Sequence, residues 1–385
     1  MTDTLPAWAG TRSWTDEDTD GDTSGYTSGD AGGLLVCKQV HTLTPDVRTF
    51  VLQSPQPRLF HHDPGQFLTL TVDIDGRPVE RCYTISSPPT RPHSVAITVK
   101  RVPGGLVSNW LHDRLRPGHT VRARGPLGDF TLARHPAPKY LFLSGGSGAT
   151  PVMAMTRALY DLAHPADVVF VHSARTPADI LFRRELDLIA ATAPTVRVVH
   201  VCEEDGPTEP WGGHRGRLTL DMLRQIAPDF RQREIFTCGP AGYMAAVRDL
   251  LATAGFAMDR YHEESFTFDA PPAAEAAAEA AAGTDTDTDT DTGETTEGRV
   301  FTVEFTRSRR TLTCDADTSL LAAATRAGLS LPASCAQGMC GTCKTTLLAG
   351  SVDMRHNGGI RPREIAQNKI LLCCSRPREN LVIDA

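Results

Sequence analysis

A chain of 385 residues with a formal charge of -7 is long enough for two or three domains, each burying its own core. Its apolar and charged fractions are those of a water-soluble globular protein, and no apolar run is long enough to span a bilayer. Met1-Thr2-Asp3-Thr4 opens without a basic or apolar leader, so a cytoplasmic location is expected.

Residues 1–32 hold seven acids against Arg12, are poor in apolar side chains, and read as a disordered acidic tail. From about Leu34 to Pro136, short alternating runs such as Phe67-Leu68-Thr69-Leu70-Thr71-Val72 and Val95-Ala96-Ile97-Thr98-Val99 are broken by Pro and Gly turns. That spacing predicts a small antiparallel β-barrel over 33–136. Within it, Arg81-Cys82-Tyr83-Thr84 follows a turn at Gly76. On a strand, Arg81 and Tyr83 share a face and Thr84 points the other way, a set suited to a flavin's phosphate, ring face and ring edge, though any strand can carry Arg and Tyr. Gly104 to Leu111 reads as a glycine turn before a helix capped by Ser108, with backbone N–H groups open to a pyrophosphate. An ordinary capped helix explains the same residues.

Between Lys139 and about Phe268, apolar strands at Tyr140 to Leu143, Val168 to Val171, Val196 to Val201 and Glu234 to Thr237 alternate with helical stretches, the pattern of βαβ units and a parallel α/β sheet over 137–268. Ser144-Gly145-Gly146-Ser147-Gly148-Ala149-Thr150-Pro151 follows the first strand, with Pro151 at a plausible first helical position and the glycines opening backbone donors to a dinucleotide phosphate. It departs from the usual G-x-G-x-x-G fingerprint. Cys238-Gly239-Pro240 closes the next-to-last strand at the edge where ligands bind in such sheets, although a buried core cysteine is the commoner meaning of a lone Cys.

Residues 269–298 hold nine acids and no Lys or Arg, including the Thr-Asp repeat from Thr284 to Thr292, and read as a flexible acidic linker. About thirty such residues reach roughly 30 Å end to end, more with self-repulsion. The last segment, 299–385, has twelve Lys/Arg against seven Asp/Glu, net +5, which favours an acidic docking face on an electron acceptor. Within it, Cys335, Cys340 and Cys343 form C-x4-C-x2-C, and Cys373 follows after twenty-nine residues, the ligand spacing of a plant-type [2Fe-2S] cluster. Gly338 and Gly341 let the backbone wrap the cluster and aim N–H groups at sulfur. A structural zinc site is the alternative, but zinc modules pair two short knuckles and here the fourth cysteine stands alone. Cys374 adjoins Cys373, and since adjacent strand residues face opposite ways only one is expected to ligate. Cys314 reads as core, and the scattered cysteines indicate a reducing compartment.

Taken in order, these motifs resemble the ferredoxin-NADP reductase superfamily over roughly 33–268, followed by a plant-type ferredoxin domain. The resemblance implies a β-grasp fold for 299–385 and FAD bound by Arg81, Tyr83, Thr84 and Gly105, Leu106, Val107 and Ser108. It implies a nicotinamide nucleotide at Gly145, Gly146, Gly148, Thr150, Pro151, Cys238, Gly239 and Pro240. His262-Glu263-Glu264-Ser265-Phe266 is similar to the family's terminal segment, with Glu264 and Phe266 near the flavin; Thr84, Cys238 and Glu264 are the implied catalytic set. Cys373 is the implied fourth ligand.

The domain order is similar to reductase components of Rieske-type oxygenases, in particular those of glycine betaine demethylation, and to hybrid-cluster protein reductases. It implies an NAD(P)H-dependent oxidoreductase passing electrons through FAD and [2Fe-2S] to a protein acceptor, with a linker long enough to let the cluster domain shuttle. A monomer with no nucleic-acid or membrane partner is expected. Phthalate dioxygenase reductase shares the order but uses FMN; the Gly105 to Ser108 element suits a second phosphate and favours FAD. Past the second strand, His172-Ser173-Ala174-Arg175 offers no acid for a ribose hydroxyl, and Arg175, Arg183 and Arg184 favour NADPH, whereas the resemblance favours NADH, the preferred donor. A redox sensor and a flavodomain kept only for binding are the readings from other classes. The first needs an output domain, which this chain does not show, and NAD(P)H-dependent bleaching of bound flavin would exclude the second.

Overall fold

In the computed structural model the described residues are 33–265, 300–329, 331, 338, 341, 343–356, 360 and 362–385. The expected tail and linker lie outside them. Two compact units divide at Phe266 and Thr267.

The first unit begins with six strands, β1 (Gly33–Thr44), β2 (Val47–Gln53), β3 (Phe67–Ile74), β4 (Arg77–Thr84), β5 (Val95–Lys100) and β6 (Thr120–Leu127), in the order β4-β3-β6-β1-β2-β5. Every pairing is antiparallel, and a bridge between Ile85 and Ile97 joins the two edges, closing the expected barrel. Period-two alternation sends Leu68, Leu70 and Val72 inward with Leu35, Phe50 and Leu52. The β3–β4 hairpin turns at Asp75-Gly76, both at positive φ, and the Asp73 carboxylate accepts from the Gly76 N–H at 2.9 Å. That is the two-residue turn Asp-Gly favours, and it sets the register that brings Arg81, Tyr83 and Thr84 to the far end of β4. Helix α1 (Leu106–Arg114) packs Val107 and Leu111 on the barrel core.

The chain then forms β7 (Lys139–Gly145), α2 (Ala149–Asp161), β8 (Asp167–Ala174), α3 (Arg183–Thr192), β9 (Val196–Cys202), β10 (His214–Arg215), α4 (Leu220–Ile226), β11 (Glu234–Gly239), α5 (Ala241–Thr253) and β12 (Tyr261–Ser265). The strands are parallel, in the order β10-β9-β8-β7-β11-β12. Both faces are covered, so the strands read as continuous apolar runs. Phe142, Phe170 and Phe236 meet α2 and α3, and Leu141, Leu143, Val171 and Ile235 meet α4 and α5. Strand order reverses between β7 and β11, which puts the ligand-binding crevice beyond their carboxyl ends.

Barrel and parallel sheet are tied by α2. Arg157 donates to the Ser86 carbonyl, pairs with Glu185 and lies 4.8 Å over the Phe182 ring. Asp161 takes both Arg91 and the Thr90 hydroxyl.

The second unit comprises β13 (Val300–Phe305), β14 (Arg310–Asp315), α6 (Leu320–Arg326), β15 (Lys344–Ala349), β16 (Val352–Met354), α7 (Pro362–Ile365), β17 (Lys369–Leu371), β18 (Ser375–Pro377) and β19 (Leu381–Ile383). The mixed sheet runs β14-β13-β19-β15-β17, with β13 and β19 parallel, beside a two-stranded β16–β18 ribbon. Ser319 caps α6, its hydroxyl accepting from the Ala322 N–H, and Leu320, Ala323 and Ala324 face the sheet core, the β-grasp arrangement expected.

Candidate functional site

At the end of β4, Thr84 is buried and Tyr83 packs against the barrel core, its phenol pushed up by burial. Arg81 lies on the same face as Tyr83 and donates to the Glu80 carbonyl. The nearby helix begins one turn earlier than expected. Gly105, not Ser108, is the N-cap, because the Gly105 N–H already closes a turn onto the Val102 carbonyl. Ser108 sits in the first turn, accepting from the Val102 N–H at 3.2 Å and donating to the Gly105 carbonyl at 3.2 Å. It staples the loop, and the first N–H groups of α1 stay open to an anion. A Cβ on Gly105 would stand 2.6 Å from the Ser108 hydroxyl and would push it off its bonds to Val102 and Gly105.

The two glycine turns at the switch point touch. A Cβ on Gly148 would lie 2.1 Å from the Cys238 carbonyl oxygen, and one on Gly145 or Gly239 would meet the Tyr243 ring at 3.0 or 2.8 Å. Gly146, at φ +51, faces open space. Pro151 is the third residue of α2 rather than its first, the intervening turn being a short 3-10 segment, Gly146–Gly148. The Thr150 hydroxyl donates to the Ser147 carbonyl at 3.1 Å and fixes that turn, and Pro240 caps α5. Such a stripped, rigid edge is what a dinucleotide pyrophosphate requires.

Barrel and sheet converge on one spot. Cys238 and Glu264 are directly paired between β11 and β12, and Glu264 Oε2 accepts from the Thr84 hydroxyl at 3.4 Å. Burial pushes the Glu264 carboxyl up to about 8, opposed by the Thr84 hydrogen bond. The Cys238 thiol is raised well above its ordinary value by burial and then by Glu264, so it is a neutral thiol rather than a thiolate nucleophile. Glu263 points the other way, to Arg248 and the Tyr261 hydroxyl. Phe266 lies outside the described residues.

Thr84, Cys238 and Glu264 meet on the β11–β12 side of the switch point, and β8 and β9 lie on its other side. Arg183, which the sequence offered to a phosphate, is held by both oxygens of Glu209 at 2.8 and 2.9 Å and lies 5.7 Å over Trp211. Sequence reading missed the acidic run just after β9, Glu203-Glu204-Asp205. The N–H groups of Glu203 and Glu204 donate to the carbonyls of Ala174 and Arg175 at 3.1 and 3.0 Å, which puts acid beside the end of β8.

In the second unit, Cys343 and Cys373 are buried and adjacent, the Cys373 N–H reaching Cys343 Sγ at 3.4 Å. The Gly338 N–H donates to Cys373 Sγ at 3.2 Å. Gly338 and Gly341 are left-handed, at φ +71 and +73, and a Cβ on Gly338 would come within 2.7 Å of Cys374 Sγ. Backbone N–H groups aimed at buried thiols suit an iron–sulfur centre. Cys373 and Cys374 occupy the turn between β17 and β18, not a strand, so turn geometry rather than pleating separates them; the Cys374 thiol donates to the Leu371 carbonyl at 3.7 Å. Cys314 is core, as expected. Cys335 and Cys340 lie outside the described residues. No described helix is long and apolar enough to cross a membrane.

Three family profiles match in this order: an oxidoreductase FAD-binding domain over residues 35–132, an oxidoreductase NAD-binding domain over 142–249, and a 2Fe-2S iron-sulfur cluster binding domain over 303–378. The chain therefore takes FAD, a nicotinamide nucleotide and a [2Fe-2S] cluster. It is 47% identical over 351 residues to a glycine betaine monooxygenase reductase subunit of Pseudomonas aeruginosa, covering 91% of this chain and 94% of the relative. To the stachydrine N-demethylase reductase subunit of Rhizobium meliloti it is 42% identical over 341 residues, covering 89% and 93%. Among solved structures, phthalate dioxygenase reductase is similar at a TM-score of 0.57 and 25% identity, covering 92% of this chain and 98% of that one.

Proposed function

The chain belongs to the family of flavin-, nicotinamide- and [2Fe-2S]-dependent oxygenase reductase subunits, and from that premise we propose that it feeds electrons from NADH to a Rieske-type oxygenase that demethylates a quaternary amine. When bound, the flavin turns a two-electron hydride donor into single electrons, and the cluster carries them onward. The meeting of Thr84, Cys238 and Glu264 is the observation that carries the reading, because it joins the flavin end of the barrel to the nucleotide end of the sheet.

In this reading Arg81, Tyr83 and Thr84 hold the flavin, and Leu106, Val107 and Ser108 present backbone N–H groups to its pyrophosphate across the bare Cα of Gly105. Gly145, Gly146, Gly148, Thr150, Pro151, Gly239 and Pro240 form the bed of the nicotinamide nucleotide. Cys238, as a neutral thiol, and Glu264, as a carboxyl that keeps its proton at neutral pH, line the transfer position and exclude water without adding charge. Phe266, two residues after Glu264 in sequence, is assigned to the flavin. Cys335, Cys340, Cys343 and Cys373 ligate the cluster.

Glu203 and Glu204 beside the far ribose favour NADH, since a 2′-phosphate there meets carboxylates, and Arg183 is already occupied by Glu209. The protein works as a monomer in the cytoplasm. The test is anaerobic NADH titration of the purified holoprotein, followed by flavin bleaching and the electron paramagnetic resonance of the reduced cluster. The expected result is reduction of both centres, with kcat/KM for NADH at least tenfold above NADPH. Flavin bleaching without cluster reduction overturns the electron route, and a preference for NADPH overturns the cofactor assignment.

A further inference from the structure

If electrons leave the chain at the cluster, as the proposed function has it, the surface beside the Cys373-Cys374 turn is the β16–β18 ribbon. The Arg355 N–H donates to the Cys374 carbonyl at 3.0 Å, so this arginine begins where the cysteine turn ends. Across the ribbon, Asp353 pairs in register with Arg376, which is exposed between buried Ser375 and Pro377. Arg378 is exposed next to it. One carboxylate, Asp353, serves both Arg355 and Arg378, at 3.3 and 3.6 Å. Exposed pairs at such distances neutralise little. Glu379, the other nearby acid, accepts from the Ser351 hydroxyl. Elsewhere in the unit Arg307 holds Asp384 with two hydrogen bonds and Lys344 holds Glu364, whereas Arg326 stands 4.0 Å from Asp315 and Arg310 donates to the Ala327 carbonyl, away from the cysteine turn.

We propose that Arg355, Arg376 and Arg378 form the docking surface for the electron acceptor, and that this acceptor is a redox protein whose exposed prosthetic-group edge is ringed by carboxylates. The chain's own flavin half is not such a partner by charge. Residues 33–268 carry a net +3 and residues 299–385 a net +5, so the two repel weakly and internal encounter relies on the covalent tether. The covalent link makes that encounter intramolecular, so it needs no attraction between the two charges. Transfer from flavin to cluster is therefore not slowed by salt, whereas transfer from cluster to acceptor is screened by it.

The test uses the NADH-reduced holoprotein with two probe acceptors, cytochrome b5, whose haem edge is ringed by carboxylates, and cytochrome c, whose haem edge is ringed by lysines. Raising salt from about 0.02 M to about 0.2 M is expected to slow cytochrome b5 reduction roughly fivefold or more and not to slow cytochrome c. Arg376→Glu/Arg378→Glu is expected to reverse the preference between the two acceptors. Arg309→Glu/Arg310→Glu, the same change of charge at the β13–β14 turn, is expected to leave it unchanged. Arg376→Gln/Arg378→Gln, with half the charge change, serves if the glutamate variant loses its cluster. Equal salt slopes for both acceptors, or equal effects of the ribbon and control variants, overturn the proposal. A wild type whose cluster NADH does not reduce overturns the electron route itself.

Discussion

The Thr84 hydroxyl donates to Glu264 Oε2 at 3.4 Å, joining residues 180 apart in sequence and belonging to two different sheets. Burial holds the Glu264 carboxyl at about 8, so below that pH it keeps its proton. Flavin reduction by NADH is expected to decline as pH rises through about 8, where a buried negative charge forms beside the transfer position. Glu264→Gln should remove that limb while keeping the flavin. Because the folded carboxyl lies above its ordinary value of 4.5, folding stability also falls as pH rises from about 4.5 to 8, then levels. Stopped-flow bleaching and thermal melts across this range check both; a limb near pH 8 that persists in Glu264→Gln rejects the assignment.

Arg233 gives a stability prediction away from the site. Only 4% exposed, it bonds Asp167 and Asp229, and Lys139 also reaches Asp229. Burial alone pushes the Asp229 carboxyl up, but hydrogen bonds from Arg233 and Lys139 and their charges outweigh it and bring it down to about 2. Its contribution, about 2 kcal/mol, is present above pH 4 and lost as pH falls through about 2. Asp229→Asn should cost that amount at pH 7 and almost nothing at pH 2. Arg233→Leu removes the guanidinium's bonds to Asp167, Asp229 and the Tyr140 carbonyl and should cost about 2–3 kcal/mol, against about 1 kcal/mol or less for Arg91→Ala, whose guanidinium is largely exposed. Denaturant melts measure all three.

Gly148→Ala sets a Cβ 2.1 Å from the Cys238 carbonyl and 2.5 Å from the Gly239 N–H. Both are backbone atoms, so the turns must part rather than a side chain swing away. We expect KM for NADH to rise at least tenfold, with flavin content unchanged because the barrel is untouched. An unaltered KM shows that the contact does not shape the nucleotide bed.

Cys373→Ser is expected to abolish the cluster signal, and Cys374→Ser to retain it with altered shape, since the Gly338 N–H bonds Cys373 Sγ while Cys374 Sγ turns to the Leu371 carbonyl. Iron content and electron paramagnetic resonance discriminate the two. A retained signal in Cys373→Ser with loss in Cys374→Ser exchanges their roles.

Features set by local chemistry are legible in the sequence. The Asp75-Gly76 hairpin, the glycine turn after β7 and the left-handed Gly338 and Gly341 each follow from what a few consecutive residues can adopt. Starting points of helices are less so: Ser108 has the chemistry of a cap, but the turn from Gly105 to Val102 ends the loop first, and a 3-10 segment moves Pro151 inward. What tertiary pairing decides is not legible. Glu203 and Glu204 are ordinary surface acids until β9 is set beside β8, and nothing near Glu264 announces Thr84. Even the separation of Cys373 from Cys374 comes from a turn, whereas the sequence pattern suggests strand alternation.

Arg157 binds the Ser86 carbonyl from one side of the reductase to the other, clasped by Glu185 and Phe182. The consequence is one of lineage. Because position 86 offers only a backbone carbonyl, a chimera cut between the halves keeps this bond wherever Arg157 is kept, whereas Arg91 and Asp161 must come from matched parents.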